Sequence, residues 1–533
     1  MNPVRHTLHP RHRRRSGAVL TVGLAVAALM LSACSSNNSS SDDSSSGSAS
    51  NAAAVQGAGS GGTLKWATTY FPAHWDPVVN GSGATFRIGA LVYESLTRTD
   101  AKGNAVPGLA QSWDFSADGK SVTFHLRAGL KFSDGTPVNA AAIKEEILRG
   151  QTQQDSAQVA NLADIKSVTT NGDLDVTVSA DHPDYQIPLL LGERVLQIAS
   201  PTAAKDPTKL DQDPVGAGPF IVTQLIPNQK VVLKKNPDYW DAKDIHFNNV
   251  EVDLAPDAST IVAGLKSGVY NFADLAPSQA AAAKAAGLNV FTIPGFNADS
   301  INININKEPF KSHPQLVDVI RYATNRQQYV DQLTFGYGQA TNQPFPPGYV
   351  AYDPQSANLY PYDPDKAKQA LAAAGYKPGE LTLELVISAD QPEAEILQSQ
   401  LKAVGVNVKI TVNKNWATPY FAKDLAFSLY GTTGRDAPTQ TLSVHFGNGG
   451  VINLSSPDVQ PGFADALAKA QATPLDSPDY AANLQAATRI GLQSPANVFT
   501  YSSPNLFAAS KSISALPLDP GHVDWTGVTI SGS

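Results

Sequence analysis

The chain contains a single cysteine, Cys34, among 533 residues. One thiol can close no internal disulfide and build no thiolate metal cluster, so the folded body must be held by packing. Apolar runs are short as well, and after residue 33 none approaches the ~20 residues that a membrane-spanning helix requires. Also missing are a Ser, His and Asp set in a nucleophile context and a Gly-rich phosphate loop with its lysine. His74 has no second His or carboxylate at a helical or turn interval, so metal-ligand spacing is absent too. These absences predict a protein that is not an enzyme and has no resident cofactor or metal. Basic residues are the minority, 39 against 47 acidic ones for a formal charge of −8. An acidic surface argues against nucleic acid as a partner.

What is present begins at the N-terminus. Arg5, Arg11, Arg13, Arg14 and Arg15 form a basic segment without an acid, Ala18 to Leu31 is apolar, and the small residues Ser32 and Ala33 follow. That order predicts a secretory signal over residues 1–33, with the general and the twin-arginine export routes both open. The run Leu31-Ser32-Ala33-Cys34 resembles the lipobox of bacterial lipoproteins. The resemblance implies that Cys34 is alkylated by diacylglycerol and becomes the mature N-terminus. Two acyl chains hold a protein durably on a membrane where one does not. Residues 34–61 are rich in Ser, Asn and Gly. They have too few apolar side chains to offset the entropy of ordering, which predicts a tether averaging about 30 Å end to end.

Residues 62–533 are too many for one ordinary core, so two or three domains are expected. Residues 62–68 alternate like a strand, and 122–127 form another between the turn signals Ala117-Asp118-Gly119-Lys120 and Ser133-Asp134-Gly135-Thr136-Pro137. Asn139 is placed to cap a helix running to about Arg149. Strands are expected at 231–234, 250–254, 406–410 and 498–501. Helices are expected at 259–265, 314–325, 363–374, 391–404 and 479–492. The helix-to-strand step across Gly405 is of α/β type.

Three runs in order, Val106-Pro107-Gly108-Leu109-Ala110-Gln111-Ser112-Trp113, residues 116–127 and Lys131-Phe132-Ser133-Asp134-Gly135-Thr136-Pro137, resemble the signature of extracellular solute-binding proteins of family 5. Further landmarks follow in the family's order: Pro214 to Phe220, Lys235-Asn236-Pro237-Asp238-Tyr239-Trp240, Gly264 to Gly268, and Pro309-Phe310 with Val319 to Arg326. The resemblance implies an α/β, two-lobed periplasmic-binding-protein-like type II fold with an extra small subdomain in the first lobe. Lobe I is expected over 62–95 with 206–295 and 502–533, the subdomain over 96–205, and lobe II over 296–501. Trp113, Arg127 and Asp134 are read as supporting the fold, since turn and strand roles already explain them. Two departures stand out: Ala142 replaces the acid of the capping box, and Asn325-Arg326 stands where Asp-Arg is more usual.

A cleft for a flexible solute needs aromatic walls and a few orienting polar groups. Two loops supply them. The first offers Thr69, Tyr70, His74, Trp75 and Asn80. The second, after an apolar strand, offers Tyr430, Thr432, Arg435 and Asp436, with Trp416 and Tyr420 upstream as stacking surfaces. In peptide-binding relatives the second loop carries a Trp and then an Asp that meets the ligand ammonium. Here Thr432 occupies the Trp position, and the Asp position falls on Arg435 or Asp436. Asp436 in the cleft suits an amino terminus; Arg435 suits a carboxylate or phosphate.

The resemblance implies a monomeric, lipid-anchored receptor on the outer face of the cell membrane. It would capture a small solute, an oligopeptide or dipeptide in preference, and deliver it to the permease and ATPase subunits of an ABC importer. A nickel complex or a glycan in the same fold is the alternative. A hydrolytic enzyme and a signalling receptor without transport are the rivals from other classes.

Overall fold

The strand Thr63–Thr68 alternates as its sequence predicts, burying Leu64 and Trp66. It lies parallel to Asn249–Leu254 on one side and to Phe272–Asp274 on the other. A parallel strand flanked on both edges is a core position, which accounts for the further burial of Ala67 and Thr68. The computed structural model describes residues 61–531 except 101, 102, 193, 294, 296, 390, 458, 515 and 517–522. The expected signal, Cys34 and the expected tether up to residue 60 lie outside the described residues.

Two large sheets share one strand order. In the seven-stranded sheet, Asn505–Ala509 is inserted antiparallel between Phe272–Asp274 and Asn289–Ile293. Phe220–Ile226 and Lys230–Lys235 extend the far edge beyond Asn249–Leu254. In the six-stranded sheet, Thr382–Ile387 sits parallel between Asn407–Val412 and Phe427–Thr433. Asn297–Ile303 is inserted antiparallel between Phe427–Thr433 and Asn497–Ser502, and Gln339–Ala340 closes the edge. Each sheet thus completes itself with a strand that enters or leaves across the junction of the lobes. The result is the two-lobed type II periplasmic-binding-protein fold, α/β in class.

The chain crosses the junction twice, between Asn289–Ile293 and Asn297–Ile303 and again between Asn497–Ser502 and Asn505–Ala509. The crossings touch: a Cβ on Gly295 would meet the Ser503 carbonyl oxygen at 2.4 Å. Glycine is what lets the two backbones approach so closely.

The extra subdomain is a four-stranded antiparallel sheet, Ala110–Phe115, Ser121–Leu126, Asp175–Ser179 and Ser167–Asn171 in spatial order. Helix Ala140–Thr152 packs on it, contributing Ile143 and Ile147 to a core with Phe124. Asn139 accepts from the Ala142 amide at 3.0 Å, so the cap forms although Ala142 removes the reciprocal half of a capping box. The signature residues are consumed by the scaffold. Arg127 donates to the Gly108 carbonyl at 2.9 Å and lies over the Trp240 ring at 4.0 Å. Asp134 accepts from the Ser200 hydroxyl at 2.6 Å, and Trp113 packs on Phe124.

The expected helices appear as Ala258–Ser267, Leu316–Ala323, Pro364–Ala373, Pro392–Ala403 and Tyr480–Gly491. Asn325 caps the following helix Arg326–Leu333 by accepting from the Gln328 amide, so its substitution for Asp keeps the capping function.

Candidate functional site

The first candidate loop is fixed in place by its own polar groups. His74 pairs through Nδ1 with Asp211 at 2.9 Å, and the Trp75 amide donates to the same carboxylate at 2.7 Å. Trp75 is buried in the core of the first lobe with Phe71 against its face. Asn80 accepts from the Ser82 amide and the Thr85 hydroxyl, opening helix Gly83–Gly89. Asp76 takes both ends of the Arg149 guanidinium, at 2.6 and 2.8 Å, while Arg149 also grips Glu146. Tyr70 is left 57% exposed, with Thr69 half-buried beside it, and neither lines the cavity at Arg435 or the one at Trp416.

The second loop leaves strand Phe427–Thr433 and enters helix Pro438–Phe446. Thr432 pairs in that strand with Ala298. The Arg435 amide donates to Thr441 Oγ1 at 3.0 Å, and Asp436 is 7% exposed. Arg194, which sequence reasoning did not single out, joins the two loops: Nη1 donates to the Gly434 carbonyl at 3.1 Å and Nη2 to the Gly81 carbonyl at 3.3 Å. Its amide approaches Asp436 Oδ2 at 3.5 Å. Burial and the nearby Arg435 charge pull the Arg194 guanidinium down to about 9, against the opposing pull of Asp436. Burial likewise lowers Arg435, with Tyr430 and Asp436 opposing. Both guanidiniums therefore lie in the field of the Asp436 carboxylate.

Arg435 lines a cavity of about 380 Å³ between helix Pro438–Phe446 and the extra subdomain, together with Asn161, Gln186 and Gln440. Gln440 donates across it to Asn161 at 3.1 Å, and the Tyr480 hydroxyl donates to Gln186 at 3.0 Å.

A second cavity, of about 370 Å³, opens at the C-terminal end of strand Thr382–Ile387 and the start of helix Pro392–Ala403. Its aromatic wall is Trp416 and Tyr430, stacked at 5.3 Å and 25°. Trp416 is held from behind by Tyr420 at 4.3 Å and by its indole N–H, which donates to Ser428 at 2.8 Å. Tyr420 is fully buried and supports the stack. Asp299 and Glu393 supply the polar wall. Burial, then the Glu393 charge, push the Asp299 carboxyl up to about 7. The Tyr501 hydroxyl donates to Glu393 at 2.9 Å and also interacts with Asp299.

Of the residues expected from sequence, Trp416 and Tyr430 line the cavity of about 370 Å³ with Tyr420 packed on both, while Arg435 lines the separate cavity of about 380 Å³. His74, Trp75 and Asn80 are bonded within the first lobe. The residues missed were Arg194, Asp299, Tyr329 and Glu393. Two carried a signal: Arg194 interrupts the apolar run from Ile187 to Ile198, and Asp299 shares strand parity with the core residues Ile301 and Ile303.

Two α/β lobes joined by a double crossing, with an aromatic and acidic cavity in the second and a polar one between it and the subdomain, are the architecture of a solute-binding protein. The chain belongs to the bacterial extracellular solute-binding proteins, family 5, whose middle region matches residues 104–453. It is a non-enzymatic, extracytoplasmic component of an ABC transporter. It is 26% identical to heme-binding protein A of Haemophilus influenzae over 89% of this chain and 93% of that one. It is 27% identical to a dipeptide-binding protein of Pseudomonas aeruginosa over 65% and 71%. The solved structure of AgaA in complex with agropinic acid, from A. tumefacien R10, superposes with a TM-score of 0.76 at 25% identity, covering 89% of this chain and 99% of that one.

Proposed function

We propose that the protein captures a short peptide, from a dipeptide upward, between its lobes and delivers it to the permease and ATPase subunits of its importer. The observation that carries this reading is the pair of buried guanidiniums, Arg194 and Arg435, in the loop region next to an aromatic cavity. A buried guanidinium is suited to a ligand carboxylate, and the Trp416–Tyr430 wall gives a flexible chain a surface to lie on. The relative named for dipeptides supports the choice of ligand class. In this reading Trp416, Tyr430 and Arg435 touch ligand, Asp436 balances the guanidiniums, Thr432 belongs to the gripping loop, and Thr69 and Tyr70 form the rim. His74, Trp75, Asn80 and Tyr420 hold the walls in place.

The proposed lobes are residues 62–95 with 206–295 and 502–533, and residues 296–501, with 96–205 as the subdomain of the first. The lobes close about the crossings that meet at Gly295 and Ser503. The N-terminal pattern of the sequence supports a lipid on Cys34 that keeps the receptor beside its permease.

A thermal-shift panel of di-, tri- and tetrapeptides, hemin, nickel–histidine and oligosaccharides tests the ligand class. A ligand at 100 times its Kd stabilises the folded state by about 2.7 kcal/mol. Peptides are expected to raise the midpoint, and Arg435→Glu to abolish the rise. A shift with hemin, the nickel complex or a glycan but with no peptide would overturn the peptide reading.

A further inference from the structure

The cavity of about 370 Å³ behind Trp416 has a one-sided charge. Among the described residues, its ionisable lining is Asp299 and Glu393 with tyrosines, and no Lys, Arg or His of those residues lines it. Carboxylates walled by aromatic rings are what an alkylammonium or guanidinium requires, since the ring faces attract a cation that the acids neutralise. An independent observation points to an occupant. Tyr329 lines the cavity, is 1% exposed, and carries a buried hydroxyl without a hydrogen-bond partner in the structure. A buried hydroxyl left unbonded is costly, and a bound donor or acceptor would relieve it. Tyr329 lies in the field of Glu393 and stacks on Tyr501, whose own hydroxyl is committed to Glu393. Tyr329 therefore holds an unused polar group of the wall. The volume falls within the range of small-molecule pockets and far exceeds the ~30 Å³ share of one water.

We propose that this cavity is a cation subsite, taking a lysine-like ammonium or arginine-like guanidinium of the captured solute between the Asp299 and Glu393 carboxylates and the Trp416–Tyr430 wall. The proposal rests on the receptor reading above and deepens it. Tyr430 joins the two regions, because it lines the acidic cavity and lies near Arg194 and Arg435. A ligand with a carboxylate at the guanidiniums and a cationic arm in the acidic cavity satisfies both.

Titration calorimetry on the full-length protein tests the subsite. The probes are Ala-Lys, its neutral isostere Ala-norleucine, Ala-Glu, and the simple cations cadaverine and agmatine. Ala-Lys is expected to bind about tenfold more tightly than Ala-norleucine, the size of one desolvated cation contact, with Ala-Glu weakest. Asp299→Asn and Glu393→Gln should each erase that preference. Tyr329→Phe should weaken Ala-Lys without lowering the unfolding midpoint, which a merely structural hydroxyl would not do. Equal binding of Ala-Lys and Ala-norleucine, or a preference that survives both carboxylate variants, overturns the subsite while leaving a peptide receptor standing. Binding of cadaverine or agmatine that the carboxylate variants abolish, with no peptide bound, supports the subsite and overturns the peptide reading. Binding of none of the probes overturns both.

Discussion

The guanidinium of Arg194 donates to the carbonyl oxygen of Gly434 across 3.1 Å. The two residues lie 240 positions apart in sequence, one before the first lobe is complete and the other in the loop that carries Arg435 and Asp436. The same guanidinium reaches the Gly81 carbonyl, so one side chain ties the end of the first candidate loop to the second.

Arg194→Ala should therefore loosen the tie between the two loops. Losing charged hydrogen bonds of this kind costs about 1.5–3 kcal/mol, read as a lower unfolding midpoint. Ligand affinity should fall as well, and Arg194→Lys should recover the charge but not both carbonyl contacts. Unchanged stability together with unchanged affinity in Arg194→Ala would refute the bridging role.

Asp299 sets a pH dependence. Its folded-state value of about 7 lies above the ordinary ~3.9 of an aspartate. The folded protein thus binds the proton more strongly than the unfolded chain, so the stability it contributes is complete below the unfolded value. That stability is lost as pH rises from about 4 to about 7. Glu393 reinforces the upward shift and the Tyr501 hydroxyl opposes it. Asp299→Asn should gain stability over the parent at pH 8 and show little gain at pH 4, measured by denaturant unfolding at both values. A gain of the same size at both would contradict the assignment.

Gly295→Ala tests the crossing. The added methyl would sit 2.4 Å from the Ser503 carbonyl oxygen, and a backbone atom cannot swing aside as a side chain can. Overpacking of this sort costs roughly 1–3 kcal/mol. The expected result is a lower midpoint and a diminished ligand-induced change in tryptophan fluorescence. A variant that matches the parent in both would show that the crossings are free to separate.

Arg149→Ala removes the cation between Asp76, 1% exposed, and Glu146, 3% exposed. Breaking a buried pair by taking one partner away costs about 3–5 kcal/mol, because the remaining charges stay desolvated. Burial already raises Glu146 with Arg149 opposing. Without the arginine, protonation relieves the strain, so the deficit should be smaller at pH 5 than at pH 8. Urea unfolding at the two pH values reads it directly.

Much of the scaffold was legible residue by residue. Asn139, Asp257 and Asp363 cap their helices through local hydrogen bonds, and a cap is a property of neighbouring residues. The alternation in residues 63–68 gave a strand, but not its central place, which depends on partners near residues 250 and 272. The candidate site was half legible. Trp416, Tyr430, Arg435 and Asp436 stood out as cleft residue types on segments that the family resemblance places at the ligand, whereas Asp299 and Glu393 are ordinary acids until the fold sets them together. Trp75 looked like a binding aromatic in a polar loop, and the first lobe's core takes it instead.

By itself the sequence determined the class: an N-terminal export pattern ending at Cys34, an acidic body without disulfides, and the ordered landmarks of a solute-binding family. These are written in contiguous runs, where periodicity, turn chemistry and small-residue spacing act over a few positions. Only the tertiary structure decided which side chains face one another across the site. Arg194 meets Gly434, and Asp299 shares a cavity with Glu393, because the strands Asn297–Ile303 and Asn505–Ala509 are inserted across the junction. Electrostatics between groups hundreds of residues apart depends on that insertion and on the burial it brings, neither of which any local pattern contains.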